Sequence, residues 1–238
     1  TSGDLVDLNG GGVKLGNINT LTINSNFGNA SANGGNIEIA GNIAGTSSEN
    51  LTLTTGTAGS TGAVTLSGNV GAASGTASQI STVDVDANAT ITIGGDIVTS
   101  GATGDSGDAD ILLTGSVVLS GSSNLVTDVG GTDGDITITG TLNGTDSVNN
   151  DLVIDSGTGA ISITGAIGAG TNGALRDLTI NTTNHASEDG TISIASIGTG
   201  TASSGAGVKR TTNIGNTSTA TLTLSGTAYN TGSSGTTT

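Results

Sequence analysis

Ile91-Thr92-Ile93-Gly94-Gly95-Asp96-Ile97 carries a pattern, apolar-x-apolar-x-Gly-x-apolar, that returns from one end of the chain to the other. Ile37-Glu38-Ile39-Ala40-Gly41-Asn42-Ile43 repeats it, as do residues 64–70, 111–117, 136–142, 161–167 and 222–228. Two copies are one residue shorter, Val13-Lys14-Leu15-Gly16-Asn17-Ile18 and Ile192-Ser193-Ile194-Ala195-Ser196-Ile197. The copies begin at 13, 37, 64, 91, 111, 136, 161, 192 and 222, so they are spaced by 20 to 31 residues. A period in that range is the signature of a solenoid with loops of different length set on a constant frame; a propeller blade needs about 40 residues.

Alternating apolar and polar residues in short β-branched runs, bounded by Gly, Asn, Asp, Ser and Thr, predict strands joined by tight turns. A weaker strand lies between copies at Leu21-Thr22-Ile23, Leu51-Thr52-Leu53, Val83-Asp84-Val85, Leu152-Val153-Ile154 and Leu178-Thr179-Ile180, with blurred versions at Leu125-Val126 and Ile214. One coil then reads strand, glycine corner, short strand, loop, third strand, loop. The expected fold is therefore all-β: a right-handed, three-sided parallel β-helix (β-solenoid) of about nine coils, stacked at about 4.8 Å. Side chains two apart point to one side of a strand. Stacking the copies predicts one interior column of Ile37, Val64, Ile91, Ile111, Ile136, Ile161, Ile192 and Leu222. The next column would hold Ile39, Leu66, Ile93, Leu113, Ile138, Ile163, Ile194 and Leu224. Only 20 residues separate Ile91 from Ile111, and 98–110 holds no clear third strand, so one face should be trimmed there.

The columns run as one domain over 1–229. Residues 1–12, in which Asp4-Leu5-Val6-Asp7-Leu8 resembles Asp151-Leu152-Val153-Ile154-Asp155, read as the end of a preceding coil. The apolar-free stretch 230–238 reads as a flexible Gly/Ser/Thr tail or linker, and 198–213 as a long loop.

Composition narrows the function. The 238 residues include 43 Gly, one Phe, one Tyr, no Pro and no Cys, and their 19 acidic against 4 basic residues give a net charge of −15. Such a charge repels nucleic acid and anionic lipid, and no apolar run approaches the length needed to insert in a membrane. The absence of cysteine removes disulfides and thiolate metal sites and is compatible with export.

Gly35-Asn36-Ile37-Glu38-Ile39-Ala40-Gly41-Asn42-Ile43, Ala89-Thr90-Ile91-Thr92-Ile93-Gly94-Gly95-Asp96-Ile97 and Asp177-Leu178-Thr179-Ile180 resemble the β-helical repeats of large bacterial surface exoproteins, the filamentous-haemagglutinin-like adhesins and autotransporter passenger stalks. The resemblance implies an extracellular or cell-surface rod used in adhesion or matrix. The expected role is a non-enzymatic structural or adhesive module that forms a rod or fibre by coil stacking, end to end with other copies or continued in a longer chain. A glycan-binding or glycan-processing β-helix is the alternative, and a surface or glycan ligand the other expected partner.

Candidate chemistry is sparse. Asp108 and Asp110 precede Ile111 as Asp133 and Asp135 precede Ile136, so in register the carboxylates would stack and could share Ca²⁺, the one cofactor considered. Gly130-Gly131-Thr132-Asp133-Gly134-Asp135 departs from the repeat of calcium β-rolls, and solvated loop acids are the simpler reading. No catalytic residue emerges: Lys14, Arg176, Lys209, Arg210 and His185 belong to separate coils or loops. Phe27 and Tyr229 read as loop plugs or end covers, and the Thr-x-Thr rows, interrupted by Glu38 and Leu112, as a solvent face.

Overall fold

The computed structural model describes residues 5–16, 18–26, 34–46, 49–56, 61–71, 79–100, 109–129, 133–145, 150–169, 172–181, 183, 189–199, 206–231 and 236–237. Among them every regular element is a strand, and the strands pair in parallel. The molecule is a parallel β-solenoid whose coils have three faces.

On the first face, Val6, Ile37, Val64, Ile91, Val117, Leu142, Ile167, Ile197 and Tyr229 follow one another rung by rung. The second face carries Val13, Ile43, Val70, Ile97, Leu125, Ile154, Ile180 and Ile214. The third carries Leu21, Leu51, Val83, Ile111, Ile136, Ile161, Ile192 and Leu222. These apolar side chains alternate with outward polar ones, as in the buried, half-buried, buried pattern of Ile37–Ile39 and Val64–Leu66. They merge into one core from Leu15 to Val208. Each fully buried Val, Leu or Ile contributes roughly 1.5–3 kcal/mol, and that repeated gain sustains a core without aromatic rings.

The columns are not those that aligning the motif copies predicts. Ile91 pairs with Val117, and Ile111 pairs with Val83 of the weaker strand. In the N-terminal half the motif copies at 37, 64 and 91 lie on the first face, turn their glycine corner and continue on the second, and the weaker strand fills the third; Val13–Lys14, expected to open a copy, is instead the second-face strand that follows Val6–Leu8. In the C-terminal half the same motif begins on the third face and continues on the first, and the weaker strand fills the second. The cause lies at 91–110. The unit beginning at Ile91 has its first two strands, Ile91–Ile93 within Ile80–Ile93 and Ile97–Val98, and among the described residues no third before Ile111. The next unit, Ile111–Leu119, therefore occupies the vacant face. What is missing is a strand of the repeat, not a face of the coil. The copies at 91 and 111 share one coil, and nine motif copies do not make nine coils.

The seam between the halves is the 14-residue strand Ile80–Ile93, which bends from the third face onto the first without a loop. Beyond it the third-to-first corner stays tight, as the unbroken strands Ile111–Leu119, Ile161–Ile167 and Ile192–Ile197 show. Most stacked corners carry glycine because backbone meets backbone there; Ala195-Ser196 is an exception. A β-carbon on Gly95 would lie 2.7 Å from the Gly68 carbonyl carbon at the first-to-second corner. On Gly140, with φ at +140°, it would lie 2.2 Å from the Gly115 carbonyl oxygen at the third-to-first corner. Both conditions exclude larger residues.

The ends differ from the expected reading. Val6–Leu8 pairs with Ile37–Ile39 and so belongs with the first strands of the motif, not with Asp151–Asp155 on the second face. Val208–Ile214 is a strand, paired with Leu175–Ile180, inside the stretch expected to be a loop. Thr231 bridges to Val208, and Thr236–Thr237 pairs with Thr211 and Thr212, so part of the expected tail adds a rung to the second face.

Candidate functional site

Hydroxyls form necks, joining the end of one strand to the residue two before the next where a longer stretch of sequence separates them. Ser25 donates to the Gly35 carbonyl at 2.6 Å and Thr55 to Gly62 at 3.0 Å, both on the third-to-first side. After the seam, Thr127 donates to Gly134 and Ser156 to Gly159, each at 2.7 Å, and Thr99 donates to Ala109; these necks lie between the second and third faces. These necks have moved with the motif. Sequence reading missed these necks, though a Ser or Thr directly after a strand and a Gly or Ala two residues before the next Ile or Val marks each one.

At the corners, where the strand ladder is interrupted, side-chain oxygens replace it. The Asn42 Oδ1 accepts the Asn69 N–H, the Asn69 Oδ1 accepts the Asp96 N–H, and the Asp96 Oδ1 accepts the Asn124 N–H, each at 2.9 Å. A second set precedes the strands: Asn36 accepts the Ala63 N–H at 3.0 Å. Asp110 accepts the Asp135 N–H, and Asp135 accepts the Ala160 N–H, both at 2.7 Å. A backbone donor left without a partner is costly, and each Asn or Asp supplies the acceptor one coil away.

This ladder states what the candidate calcium ligands do. Asp110 and Asp135 meet as the register predicts, with Asp135 donating its backbone N–H to the Asp110 carboxylate. Asp133 turns to the next coil and accepts both the N–H and the hydroxyl of Thr158 at 2.9 Å. Asp108, like His185 and Phe27, lies outside the described residues. Among the described residues no three His, Cys, Asp or Glu side chains converge as a metal-holding group.

The basic residues are less scattered than the sequence indicates. Arg176 grips Asp151 of the preceding coil through Nε, at 2.6 Å, and through Nη2. Asp177 takes Arg176 at 3.3 Å, Arg210 at 3.6 Å and the Thr211 N–H at 2.8 Å. The strand register shifts between Leu175 and Asp177, which sets Arg176 beside Lys209-Arg210 on the second face. Burial opposes ionisation of Asp177, but hydrogen bonds from Thr211 and then the two arginines hold its carboxyl below the usual range. The opposite holds on the third face, where burial and then Asp86 push the Asp84 carboxyl up.

Among the described residues the C-terminal end is open. Leu222 and Leu224 are 43% and 49% exposed on the last strand of the third face. With Ile197, Thr212, Ile214 and Tyr229 they line an apolar depression of about 140 Å³. The Thr212 hydroxyl is buried and has no hydrogen-bond partner among the described residues. Tyr229 partly covers this end, as expected: its hydroxyl donates to the Ala195 carbonyl at 2.7 Å and accepts the Gly226 N–H at 2.9 Å.

The fold thus defines the class, a parallel β-solenoid built from one repeated unit. No protein-family model matches the chain, and no characterised protein and no solved structure matches it significantly. No helix is long and apolar enough to cross a membrane among the described residues.

Proposed function

We propose that this chain is a structural or adhesive module, a stiff extracellular rod that lengthens end to end through further β-coils and spaces or presents material at a cell surface. The observation that carries the reading is the uncovered last rung: Leu222 and Leu224 sit in the same two columns as the fully buried Ile192 and Ile194, yet are exposed. An open strand edge over an open core is completed in solenoids by a cap or by more coils. The columns supply stiffness, because every coil is bonded along three faces to the coils on either side. The extracellular setting follows the resemblance to surface exoprotein repeats. Sedimentation velocity with negative-stain electron microscopy over a concentration series tests the reading. Rods longer than one chain are expected at high concentration, and a monomer at every concentration would contradict it. A polysaccharide array run beside it tests the glycan-binding alternative.

A further inference from the structure

Resting on that end-to-end reading, we propose that the C-terminal end is covered by a second copy rotated by one face, with its Val6–Leu8 strand lying on Leu222–Leu224 and not on the face where Val6 itself belongs. The two ends are out of phase. At the N-terminus the tight corner joins the first and second faces: Val6–Leu8, Gly10-Gly11-Gly12, then Val13–Lys14. At the C-terminus it joins the third and first: Leu222–Leu224, Gly226, then Tyr229. Within each half, tight corner lies on tight corner, and glycine recurs in these columns because there is little room between them, Ala195-Ser196 being a corner without it. A β-carbon on Gly41 would lie 2.7 Å from the Gly12 nitrogen, and one on Gly226 would lie 1.5 Å from the Ala195 carbonyl oxygen. Rotation by one face sets the three glycines at 10–12 on the Gly226 corner and continues this rule across the junction. Without rotation the Gly226 corner would meet the loop neck at Ser25 and Gly35.

Charge selects both the polarity and the phase. Residues 206–238 contain Lys209 and Arg210 and no acid, while all 19 acidic residues lie before them. Even with Arg210 held by Asp177, the C-terminal end is the least acidic part of the chain, and it favours the acidic body of another copy over a second C-terminal end. An unrotated junction would bring Lys14, on the second face, toward Lys209 and Arg210 on that same face. The rotated one moves Lys14 to the first face and lays Thr20–Asn24 on the Thr236–Thr237 rung that follows the strand of the two cations. The unpartnered Thr212 hydroxyl sits at this junction.

Three cysteine pairs separate the possible phases in a chain that has no cysteine of its own. Asp7→Cys with Thr223→Cys reports the rotated junction, Thr22→Cys with Thr223→Cys the unrotated one, and Lys14→Cys with Thr223→Cys the opposite rotation; all four positions are exposed. Under mild oxidation the first pair is expected to give a ladder of covalent multimers that collapses on reduction, and the other two only monomer. A ladder from either other pair overturns the rotation but leaves end-to-end growth standing. Rods on the grid with no ladder from any pair overturn the junction described here, and monomers throughout overturn the second copy as occupant together with the reading beneath it. Circular dichroism matching the parent confirms that each double variant has folded.

Discussion

The N-terminal half, up to Ile93, and the C-terminal half, from Ile111 on, use one sequence unit in two positions. Before the seam, strand, glycine corner and strand occupy the first and second faces; after it they occupy the third and first. Glycine columns, loop necks and weaker strands all move together. The three faces are therefore interchangeable as sites for the unit, and position around the axis is set by counting strands, not by anything special to a face. Where the described residues place no third strand between Val98 and Ile111, everything downstream moves by one face.

The largest effect that probes this contrast is at the corners. Gly140→Val combines a forbidden φ with a backbone clash and should destabilise by about 4 kcal/mol, read by chemical denaturation. Gly95→Ala should be severe at the first-to-second corner. Gly121→Ala, at the same corner beyond the seam, should stay within about 0.5 kcal/mol, because its β-carbon meets nothing closer than 3.4 Å. If Gly121→Ala costs as much as Gly95→Ala, the glycine requirement has not moved and the contrast fails.

Next in size are the necks. Thr55→Val and Thr127→Val each strand a buried carbonyl, at Gly62 and at Gly134, and should cost about 1–3 kcal/mol at two different corners of the solenoid. Equal losses show one device used twice; a loss in only one half would show that the necks are not equivalent. The ladder comes third. Asp135→Asn should leave the melting temperature almost unchanged, since Asn36, Asn42 and Asn69 accept the same kind of bond, whereas Asp135→Ala should lose about 1 kcal/mol.

The smallest effect is a pH dependence of opposite sign in the two halves. The Asp84 carboxyl is raised in the folded state, so its ionisation opposes folding, and that cost disappears as pH falls through its folded pKa. Asp177 is lowered, so its contribution is present above the unfolded pKa and is lost as pH falls through the folded one. Asp84→Asn should therefore raise the melting temperature slightly at pH 7 and not at acid pH. Asp177→Asn should lower it at pH 7, again with no effect at acid pH. Melting curves of both variants from pH 7 to pH 3 check the signs.

Fold class was legible because the period-two alternation of Ile and Val is the force that builds each strand. Stacking order was not, because Ile111-Leu112-Leu113-Thr114-Gly115 looks the same on any face. Two clues to the shift were visible, the 20-residue spacing and the missing strand before Asp110, and they read equally well as a trimmed face. Val208–Ile214 was hidden because Lys209-Arg210-Thr211-Thr212 breaks the apolar alternation; it is held by its neighbour strand Leu175–Ile180 more than by its own composition. Among the site candidates, the meeting of Asp110 and Asp135 followed from register. The turn of Asp133 toward Thr158 did not, since it depends on the Gly157 backbone, at φ +57° in the next coil.

The shift itself is tested most directly by two disulfides across the seam. Thr92 lies beside Val118 on the first face, both side chains facing outward, at the separation that a disulfide spans between neighbouring parallel strands. Thr92→Cys with Val118→Cys should oxidise within the monomer to near completion, and Thr92→Cys with Leu112→Cys, the pair that aligned motifs would join, should stay reduced. Ready closure of the second pair, with the first remaining as free thiols, would contradict the account.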